Sequence, residues 1–291
     1  MTIISIVNFN TRELTRNCLK SILGKRWEED IKIFVVDNGS TDGSVEMLGN
    51  QFPQVKLIVN KNNLGFGKAH NQILSKGKGD YYMVLNSDTE IEEGLIDNMV
   101  KFMEEYKSCG ISSCRVLGFD GKLQPNGGDL PLGRALFNWL FNLEVFSPSS
   151  FHRNEEEYYK KIHPVGWVSG NFMFIRRKVI EQVGKFNENY FMYFEDVEYC
   201  FRVKRAGLNV MINPKVSMKH LSGGSLDDPK FRQWIGEYKG LIIFYNQHFG
   251  IGWAILVKIV CYFAIMLRII AFLLAGKIKY SLTYGKIIAN F

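Results

Sequence analysis

The stretch Tyr81-Tyr82-Met83-Val84-Leu85-Asn86-Ser87-Asp88 passes from five large aromatic or aliphatic residues to three polar ones. A short, continuous apolar run of this kind is typical of a strand that is buried on both faces of a sheet. The polar residues then lie at the carboxyl end of that strand, which is where ligands bind in open α/β sheets. The stretch therefore predicts a buried strand and, directly after it, a candidate ligand site.

Apolar runs and helical patterns alternate in the same way along the first half of the chain. Further strands are predicted at Ile3–Val7, Ile31–Val36, Val55–Val59 and Ile111–Val116. Helical patterns lie between them, at Thr11–Leu23, from Ser44, at Lys68–Ser75 and at Glu92–Tyr106. Strands that alternate with helices over short links predict the α/β class, with a mostly parallel central sheet and helices on both faces.

The alternation stops at Gly118–Pro164, a segment rich in Gly, Pro, Asn and Ser. It predicts a long irregular insertion, which in a compact domain is usually functional or mobile. Beyond it, helices are predicted at Arg177–Val183, Asp196–Ala206 and Phe231–Phe249, and a strand at Asn209–Ile212.

The charge of the chain is unevenly distributed over its 291 residues. The net charge is +7, yet the part from Arg202 onward carries 13 lysines and arginines against three acids. Such a basic region suits either nucleic acid or an anionic membrane surface. The same region contains the most apolar segment of the chain, which favours the membrane and argues against nucleic acid.

That apolar segment, Ala254–Ala275, is 22 residues long and is interrupted by Lys258, Tyr262 and Arg268. Its length is enough to span a bilayer, but each cation would cost about 2.5–3.5 kcal/mol at mid-depth. We expect an interfacial or re-entrant helix pair. A true span and a buried or dimerising helix are the alternatives, so a homo-oligomer stays open.

The compartment is predicted from the cysteines and from the N-terminus. The five cysteines are scattered and form no CxxC pair, which argues against a zinc site or a disulfide framework and suits a reducing cytosol. Met1–Ser5 lead straight into a strand pattern without the basic region or the cleavage site of a signal peptide, so no signal peptide is expected.

Polar motifs follow the second, third and fourth predicted strands. Asp37 suits an N–H of a pyrimidine base or a ribose hydroxyl, although a turn with a helix cap is the alternative. Asn63-Leu64-Gly65-Phe66-Gly67 is not a dinucleotide loop, because Asp37 precedes it and His70 replaces the third glycine. Asp88 suits Mg²⁺ or Mn²⁺ that takes its other ligands from phosphate and water, with a helix cap as the alternative.

Two further candidates lie in the second half of the chain. Glu195, Asp196 and Glu198 follow an aromatic run, and one of them is a candidate general base. Acids at the start of a helix also gain from its dipole, which is the alternative. His220 is followed by Gly223-Gly224, which would allow close approach to a phosphate, although a lone histidine is usually not a ligand.

The order and spacing of these motifs resemble those of the family 2 glycosyltransferases of GT-A fold. The resemblance is carried by Val7–Asn10, Val36–Ser40, Asn63–Gly67, Leu85–Asp88, Val168–Met173, Phe194–Glu198 and His220. It covers roughly Thr2–Phe249 and is closest to the rhamnosyltransferase-like branch, which builds bacterial surface polysaccharides. The processive members carry a Q-x-x-R-W motif that Arg232-Gln233-Trp234 does not match, so a processive synthase is not expected.

The resemblance implies a role for each position. Asp196 matches the base that deprotonates the acceptor, and Glu195 shapes the acceptor pocket. Asp88 and His220 match the ligands of Mg²⁺ or Mn²⁺, because Asn86 replaces the first acid of the family's D-x-D. The nucleotide is assigned to Asn8, Asn10, Asp37, Asn63, Gly65, Gly67, Asn86 and Ser87. The donor and acceptor pocket is assigned to Trp167, Gly170 and Asn171.

The implied activity is an inverting sugar transfer from a nucleotide-diphospho-sugar to a polyprenyl-diphosphate-linked glycan. The first choice of donor is dTDP-rhamnose, and UDP-sugars come next. We expect residues 1–229 to form the catalytic GT-A domain and residues 230–291 a helical, membrane-associating region, peripheral or monotopic, on the cytoplasmic face of the membrane. A sugar nucleotidyltransferase is the weaker alternative, because Asn8–Thr11 lacks a Gly-rich basic loop; a non-catalytic binding module is the other.

Overall fold

The computed structural model describes residues 1–146, 150–221 and 231–291. The strands are β1 (Thr2–Asn8), β2 (Ile31–Asp37), β3 (Lys56–Val59), β4 (Tyr81–Asn86), β5 (Thr89–Ile91), β6 (Cys109–Leu117), β7 (Gly127–Gly128), β8 (Trp167–Val168), β9 (Phe172–Arg176) and β10 (Asn209–His220). The helices are α1 (Arg12–Leu23), α2 (Ser44–Gln51), α3 (Phe66–Leu74), α4 (Leu95–Glu105), α5 (Gly133–Leu140), α6 (Arg177–Val183), α7 (Glu195–Arg205), α8 (Phe231–Phe249), α9 (Ile251–Leu274) and α10 (Ile278–Asn290).

Eight of the strands form one sheet in the order β3-β2-β1-β4-β9-β6-β10-β5. Strands β3, β2, β1 and β4 are parallel to one another, and β6 is parallel to β10. Strand β9 runs antiparallel between β4 and β6, and the short β5 pairs antiparallel with the end of β10. The predicted α/β class with a mostly parallel sheet is confirmed.

Strand β4 shows why the sequences of the central strands are nearly continuous apolar runs. Successive side chains of a strand point to opposite faces, and both faces of this sheet are covered. Met83 and Leu85 pack in a core with side chains of α1, α2 and α4. Tyr82 and Val84 pack in a second core with side chains of α3, α7 and α8. The polar residues after Leu85 therefore emerge at the sheet edge with no covering helix at that point.

The segment predicted to be irregular, Gly118–Pro164, contains more structure than its composition indicates. It includes α5 and, in its described part, two short 3-10 helices at Glu144–Phe146 and Glu156–Lys160. Trp139 of α5 stacks between Phe194 and Tyr238, with ring centroids about 6 Å away on each side. The segment is therefore held by aromatic packing from elements distant in sequence, which a local reading of Gly and Pro content misses.

Strand β10 is also longer than predicted, since it continues from Ile212 to His220. The register with β6 shifts between Asn213 and Ser217, around Pro214. Proline in a strand is tolerated at a bulge. Pro214 therefore interrupts β10 without ending it, although the predicted strand ended before this proline. As a result His220 is the last residue of a strand rather than part of a loop. Gly223-Gly224 lies outside the described residues.

Helix α9 is the C-terminal apolar helix that the composition indicated. It is 24 residues long, with a mean hydropathy of 2.4 over its most apolar window, and only 22% of that window is buried. Its buried side chains include Val257, Cys261 and Ile265, which join the core shared with α8. Its large exposed side chains are apolar: Ile251, Trp253, Ile255, Leu256, Ile259, Phe263, Met266, Leu267, Ile270, Leu273 and Leu274.

The two cations of α9 face protein groups rather than this exposed face. The Arg268 guanidinium donates to the Tyr284 hydroxyl at 2.8 Å and to the carbonyl oxygen of Trp139. The Lys258 ammonium lies 5.3 Å from the centroid of the Phe291 ring. The charges that argued against membrane insertion in the sequence are therefore accommodated by α5 and α10, and the outer face of α9 is left without charge.

Candidate functional site

A cavity of about 530 Å³ lies at the edge of the sheet where β4 and β10 end. The predicted site residues that line it are Asn86, Asp88, Trp167, Gly170, Asn171, Glu195, Asp196 and His220. They come from the loop after β4, the connection from β8 to β9, the start of α7 and the end of β10. The fold thus brings the acids predicted as base and as metal ligand to the walls of one cavity.

The Asp196 carboxylate is held by two backbone donors at the start of α7. Its Oδ2 accepts from the Gly170 N–H at 2.9 Å, and its Oδ1 accepts from the Val197 N–H at 2.8 Å. A Cβ on Gly170 would lie 2.7 Å from Cζ of Phe66, so a larger residue here would have to displace the Phe66 ring. Two charge-assisted hydrogen bonds orient the carboxylate and favour its ionised form.

Glu195, the neighbour of Asp196, is in a different environment. Its side chain is 4% exposed, and its Oε2 has no hydrogen-bond partner among the described residues. Burial, together with the nearby Asp196 charge, raises the pKa of Glu195 well above its ordinary value. Burial also raises the pKa of Asp196, but its backbone hydrogen bonds oppose that rise. Of the pair, Asp196 is therefore the acid that ionises more readily, and Glu195 is the one that keeps its proton more readily.

The residues directly before this acid pair adopt a strained backbone. Tyr193 and Phe194 have φ of 70° and 76°, a region that bulky side chains rarely adopt. Helix α8 packs on them through two glycines. A Cβ on Gly236 would lie 2.5 Å from Cδ2 of Tyr193, and a Cβ on Gly240 would lie 2.4 Å from Cβ of Phe194. Such strain persists only where the surroundings hold it, and it is frequent at functional sites.

Across the cavity, Asp88 and His220 form a pair of possible metal ligands. The Asp88 Oδ1 lies 3.3 Å from the His220 Nε2, and both side chains are partly exposed to the cavity. The backbone joins the two segments as well, because the N–H of Leu221, the residue after His220, donates to the Asp88 carbonyl at 2.9 Å. A carboxylate and an imidazole fit Mn²⁺ or Mg²⁺. No cluster of three such groups exists among the described residues, so the other ligands would be phosphate and water.

Gln124 is a site residue that the sequence did not point to. Its Oε1 lies 2.9 Å from the His220 Nδ1, and its Nε2 donates to the His220 carbonyl at 2.9 Å. It also lines the cavity. A single glutamine inside a segment read as irregular carries no pattern, and its partner lies 96 positions away.

The predicted nucleotide residues at the ends of the first two strands are held by hydrogen bonds, which are buried at Asn8 and Asp37 and exposed at Asn10. The Asp37 side chain is fully buried; its Oδ2 accepts from Asn8 Nδ2 at 2.6 Å and its Oδ1 from the Ser40 N–H at 2.9 Å. Asn10, with φ of 53°, accepts from the Thr41 N–H at 2.8 Å. These contacts shape the loops at the ends of β1 and β2.

The remaining predicted nucleotide residues also have contacts within the protein. Asn63 Oδ1 accepts from Asn38 Nδ2 and from the Gly65 N–H, at 2.8 and 2.9 Å. Gly65, with φ of 85°, leaves no room for a Cβ beside the Phe191 carbonyl, and Gly67 packs against the Phe186 side chain. Ser87 Oγ lies 2.9 Å from Thr11 Oγ1. Of the predicted nucleotide residues, those that do not line the cavity are Asn8, Asn10, Asp37, Asn63, Gly65, Gly67 and Ser87.

Comparison with known sequences gives one family and several distant relatives. Residues 3–184 match the family described as Glycosyl transferase family 2. The chain is 27% identical, over 237 residues, to the N-acetylglucosaminyl-diphospho-decaprenol L-rhamnosyltransferase of Mycobacterium tuberculosis (strain ATCC 25618 / H37Rv), with 77% of each chain covered.

Comparison with solved structures gives the fold. The mannosyltransferase PcManGT from Pyrobaculum calidifontis, in complex with GDP-Man and Mn²⁺, has a TM-score of 0.60 at 15% identity, covering 99% of this chain and 85% of its own. Residues 1–349 of S. aureus TarS have a TM-score of 0.57 at 14% identity, covering 84% of this chain, which spans 64% of that structure. The fold is therefore the predicted GT-A fold.

Proposed function

Because the chain belongs to glycosyl transferase family 2, we propose that it is an inverting, metal-dependent transferase that moves a sugar from a nucleotide-diphosphate donor to a lipid-linked glycan. One observation carries the proposal. Asp196 and the Asp88–His220 pair line the same cavity. This arrangement offers a base for the acceptor and a separate site for the leaving diphosphate, as direct displacement requires.

The residues of the cavity divide the reaction between them. Asp196 accepts the proton of an acceptor hydroxyl while that oxygen bonds to the anomeric carbon of the donor. The bond from this carbon to the diphosphate oxygen breaks, and the nucleoside diphosphate leaves with the electron pair. Attack opposite the leaving group inverts the anomeric centre without a covalent enzyme intermediate. The neutral Glu195 acts in the acceptor pocket as a hydrogen-bond donor.

The metal would be held by Asp88 and His220. A divalent cation bound there supplies Lewis-acid stabilisation of the negative charge that develops on the leaving diphosphate. Support for a divalent metal comes from the chemistry of this pair of ligands, and from PcManGT, whose structure contains GDP-Man and Mn²⁺.

The substrates are proposed from the sequence resemblance and from the name of the mycobacterial relative. That protein is an L-rhamnosyltransferase on N-acetylglucosaminyl-diphospho-decaprenol. We therefore favour dTDP-rhamnose as donor and a polyprenyl-diphosphate glycan as acceptor in surface polysaccharide synthesis. UDP-sugars are the second choice, and S. aureus TarS has been solved with UDP-GlcNAc.

The proposed place of action is the membrane surface, on its cytoplasmic face. The exposed face of α9 is apolar, and both of its cations face the protein. A helix that buries one side in the protein and presents an apolar side outward suits a monotopic position in the interface. The alternative of a span would require α9 to leave the core that it shares with α8.

A thermal-shift screen with and without Mn²⁺ tests donor and metal together. The purified chain is heated with dTDP-rhamnose, UDP-N-acetylglucosamine or GDP-mannose, and transfer is then assayed with a polyprenyl-diphosphate N-acetylglucosamine acceptor. We expect stabilisation by dTDP-rhamnose that increases with Mn²⁺, and transfer that requires the metal. Turnover that is unaffected by a chelator would refute the metal dependence, and stabilisation by nucleoside triphosphates with release of pyrophosphate would favour a nucleotidyltransferase.

A further inference from the structure

The side chain of Gln124 contacts His220 at two points, its backbone and its ring. The Gln124 Nε2 lies 2.9 Å from the His220 carbonyl oxygen, and the Gln124 Oε1 lies 2.9 Å from the ring Nδ1. The backbone of Gln124 is held in turn, because its N–H donates to the Val116 carbonyl at 2.8 Å. The turn between Leu117 and Leu123 closes with a bridge between these two residues. These backbone contacts therefore fix the position of Gln124 next to His220.

The chemistry of these atoms determines which way the amide points. A backbone carbonyl oxygen can only accept a hydrogen bond, so the atom of Gln124 beside it must be the NH₂ group. The other amide atom is then the oxygen, which can also only accept. The His220 Nδ1 that faces this oxygen must therefore carry the proton. Both the orientation of the Gln124 amide and the protonation of Nδ1 follow from the fact that the His220 carbonyl oxygen can only accept a hydrogen bond.

A protonated Nδ1 has a direct consequence for the other ring nitrogen. Only the neutral ring can bind a cation, and in neutral imidazole one nitrogen donates while the other has a free lone pair; with the proton on Nδ1, that lone pair is on Nε2. This is the atom that lies 3.3 Å from the Asp88 Oδ1, on the wall of the cavity. The opposite tautomer would direct an N–H at the same place and could not bind a cation.

We propose that Gln124 is a positioning residue that holds His220 in the Nδ1–H tautomer, so that Nε2 is available as a metal ligand next to Asp88. The inference rests on the proposed function for the identity of the metal. Ligand histidines commonly donate their second N–H to a carbonyl or carboxylate oxygen, and loss of that partner typically costs 10- to 100-fold in metal affinity. Here the partner is the side-chain carbonyl of a glutamine.

The first test reads the tautomer and needs no metal or substrate. The full chain labelled with ¹⁵N in its five histidines is examined by NMR, and the His220 signals are assigned with His220→Gln. We expect a protonated Nδ1 and an unprotonated Nε2 at pH 8 in the wild type. Gln124→Met, which has similar length but no acceptor, should lose this preference. A wild-type His220 with the proton on Nε2 overturns the proposal.

The second test measures Mn²⁺ alone, by the EPR signal of the free ion during titration. We expect Gln124→Met to bind Mn²⁺ about 10- to 100-fold more weakly than wild type. Gln124→Glu keeps an acceptor for Nδ1–H but loses the donor to the His220 carbonyl, so its affinity should lie above that of Gln124→Met. The matched control Gln54→Met, at an exposed glutamine away from the cavity, should bind normally. Circular dichroism and the unfolding temperature establish that each variant is folded.

The outcomes separate this inference from the proposed function. A folded Gln124→Met variant that binds Mn²⁺ as wild type does overturns the role of Gln124 and leaves the metal site intact. An equal loss of Mn²⁺ affinity in Gln124→Met and Gln124→Glu also overturns the role of Gln124, because disturbance of the turn between Leu117 and Leu123 would then be the cause. If the folded wild type binds no Mn²⁺, the metal site of the proposed function fails and this role fails with it.

Discussion

At the scale of single residues, the two acids at the start of α7 differ in their hydrogen bonds and in their exposure, since Glu195 is buried and Asp196 is partly exposed. Asp196 receives backbone N–H groups from Gly170 and Val197, whereas Glu195 Oε2 receives none among the described residues. This difference supports the proposal that Asp196 is the base and that Glu195 acts as a neutral donor. This asymmetry makes different predictions for the two amide substitutions.

Asp196→Asn removes the proton acceptor, while Glu195→Gln preserves a neutral hydrogen-bond donor of the same size. We expect Asp196→Asn to lower kcat by about 10²- to 10⁴-fold, the usual contribution of a general base, with little change in donor affinity. Glu195→Gln should stay within about tenfold of wild type, since one neutral hydrogen bond is replaced by another. Steady-state transfer and donor titration measure both effects. Comparable kcat values for the two variants would contradict the assignment.

The buried Glu195 also makes the stability of the fold depend on pH. Burial and the Asp196 charge raise its pKa well above the ordinary 4.5, so the folded chain keeps a proton that the unfolded chain has lost. The contribution of the protonated Glu195 to the free energy of unfolding is at its maximum below pH 4.5, and it is lost as the pH rises through the raised pKa of Glu195. We expect the unfolding temperature of Glu195→Gln, relative to wild type, to increase as the pH is raised above 4.5. A difference that stays constant with pH would refute the protonated state.

The residues that the sequence singled out share one property. Asp37, Asp88 and Asp196 are acids placed at strand or helix ends, and their order along the chain carried the resemblance. Gln124 could not be found in this way, because its role depends on a contact with His220 across 96 positions. Similarly, no local pattern shows that Asp37 is fully buried against Asn8.

At the scale of elements, the sequence predicted those whose periodicity is local. The parallel strands β1 to β4 and the helix α8 were predicted almost to their ends, since their apolar residues form patterns that are local in sequence. The antiparallel β9 and the edge strand β5 were missed, because their pairing is made with strands far away in sequence. Helix α5 was missed because it is short and is stabilised mainly by aromatic contacts of Trp139.

Helix α8 joins the acid pair to the C-terminal helices. Its Gly236 and Gly240 fit against the strained Tyr193 and Phe194, and its Gln233 and Glu237 line the cavity. The helix therefore holds the backbone that presents Glu195 and Asp196. A side chain added at this contact should change the position of the acids before it changes the binding of the donor.

Gly240→Ala tests this contact, because the added Cβ would lie 2.4 Å from Cβ of Phe194. We expect a fall in kcat of about tenfold or more, as a displacement of the base by a fraction of an ångström would produce, and an unchanged Kd for the donor. The matched control is Gly49→Ala in α2, where nothing lies within 4 Å of the new Cβ. This control should keep full activity and gain about 0.5–1 kcal/mol of stability. A Gly240→Ala variant with normal kcat would show that α8 does not position the acids.

At the scale of the whole molecule, the cavity and the apolar surface share α8. One side of α8 lines the cavity through Gln233 and Glu237, and other residues of the helix pack in the core with α9. The exposed apolar surface of α9 continues to α5, because Phe263 contacts Phe141, whose ring stacks on the exposed Phe137. A lipid-linked acceptor held in the membrane would thus have its sugar close to the cavity while its chain remains in lipid.

This arrangement predicts that charge on the outer face of α9 will detach the protein without unfolding it. Ile259 and Phe263 are exposed, so the double variant Ile259→Glu, Phe263→Glu leaves the core intact, which a deletion from Trp253 onward would not. We expect it to float with phosphatidylglycerol vesicles at less than about a tenth of the wild-type fraction, since two apolar side chains leave the interface and two anions are repelled.

The control carries the same charge change on the opposite side of the sheet. Asn50→Glu, Gln54→Glu alters exposed residues in and after α2, whose buried side chains belong to the other core. This variant should float as wild type does. In a transfer assay, the α9 variant should lose activity on acceptor in vesicles yet retain it on a water-soluble acceptor with a shortened lipid, because the cavity is unchanged. Equal flotation of the two double variants would show that α9 does not bind the membrane.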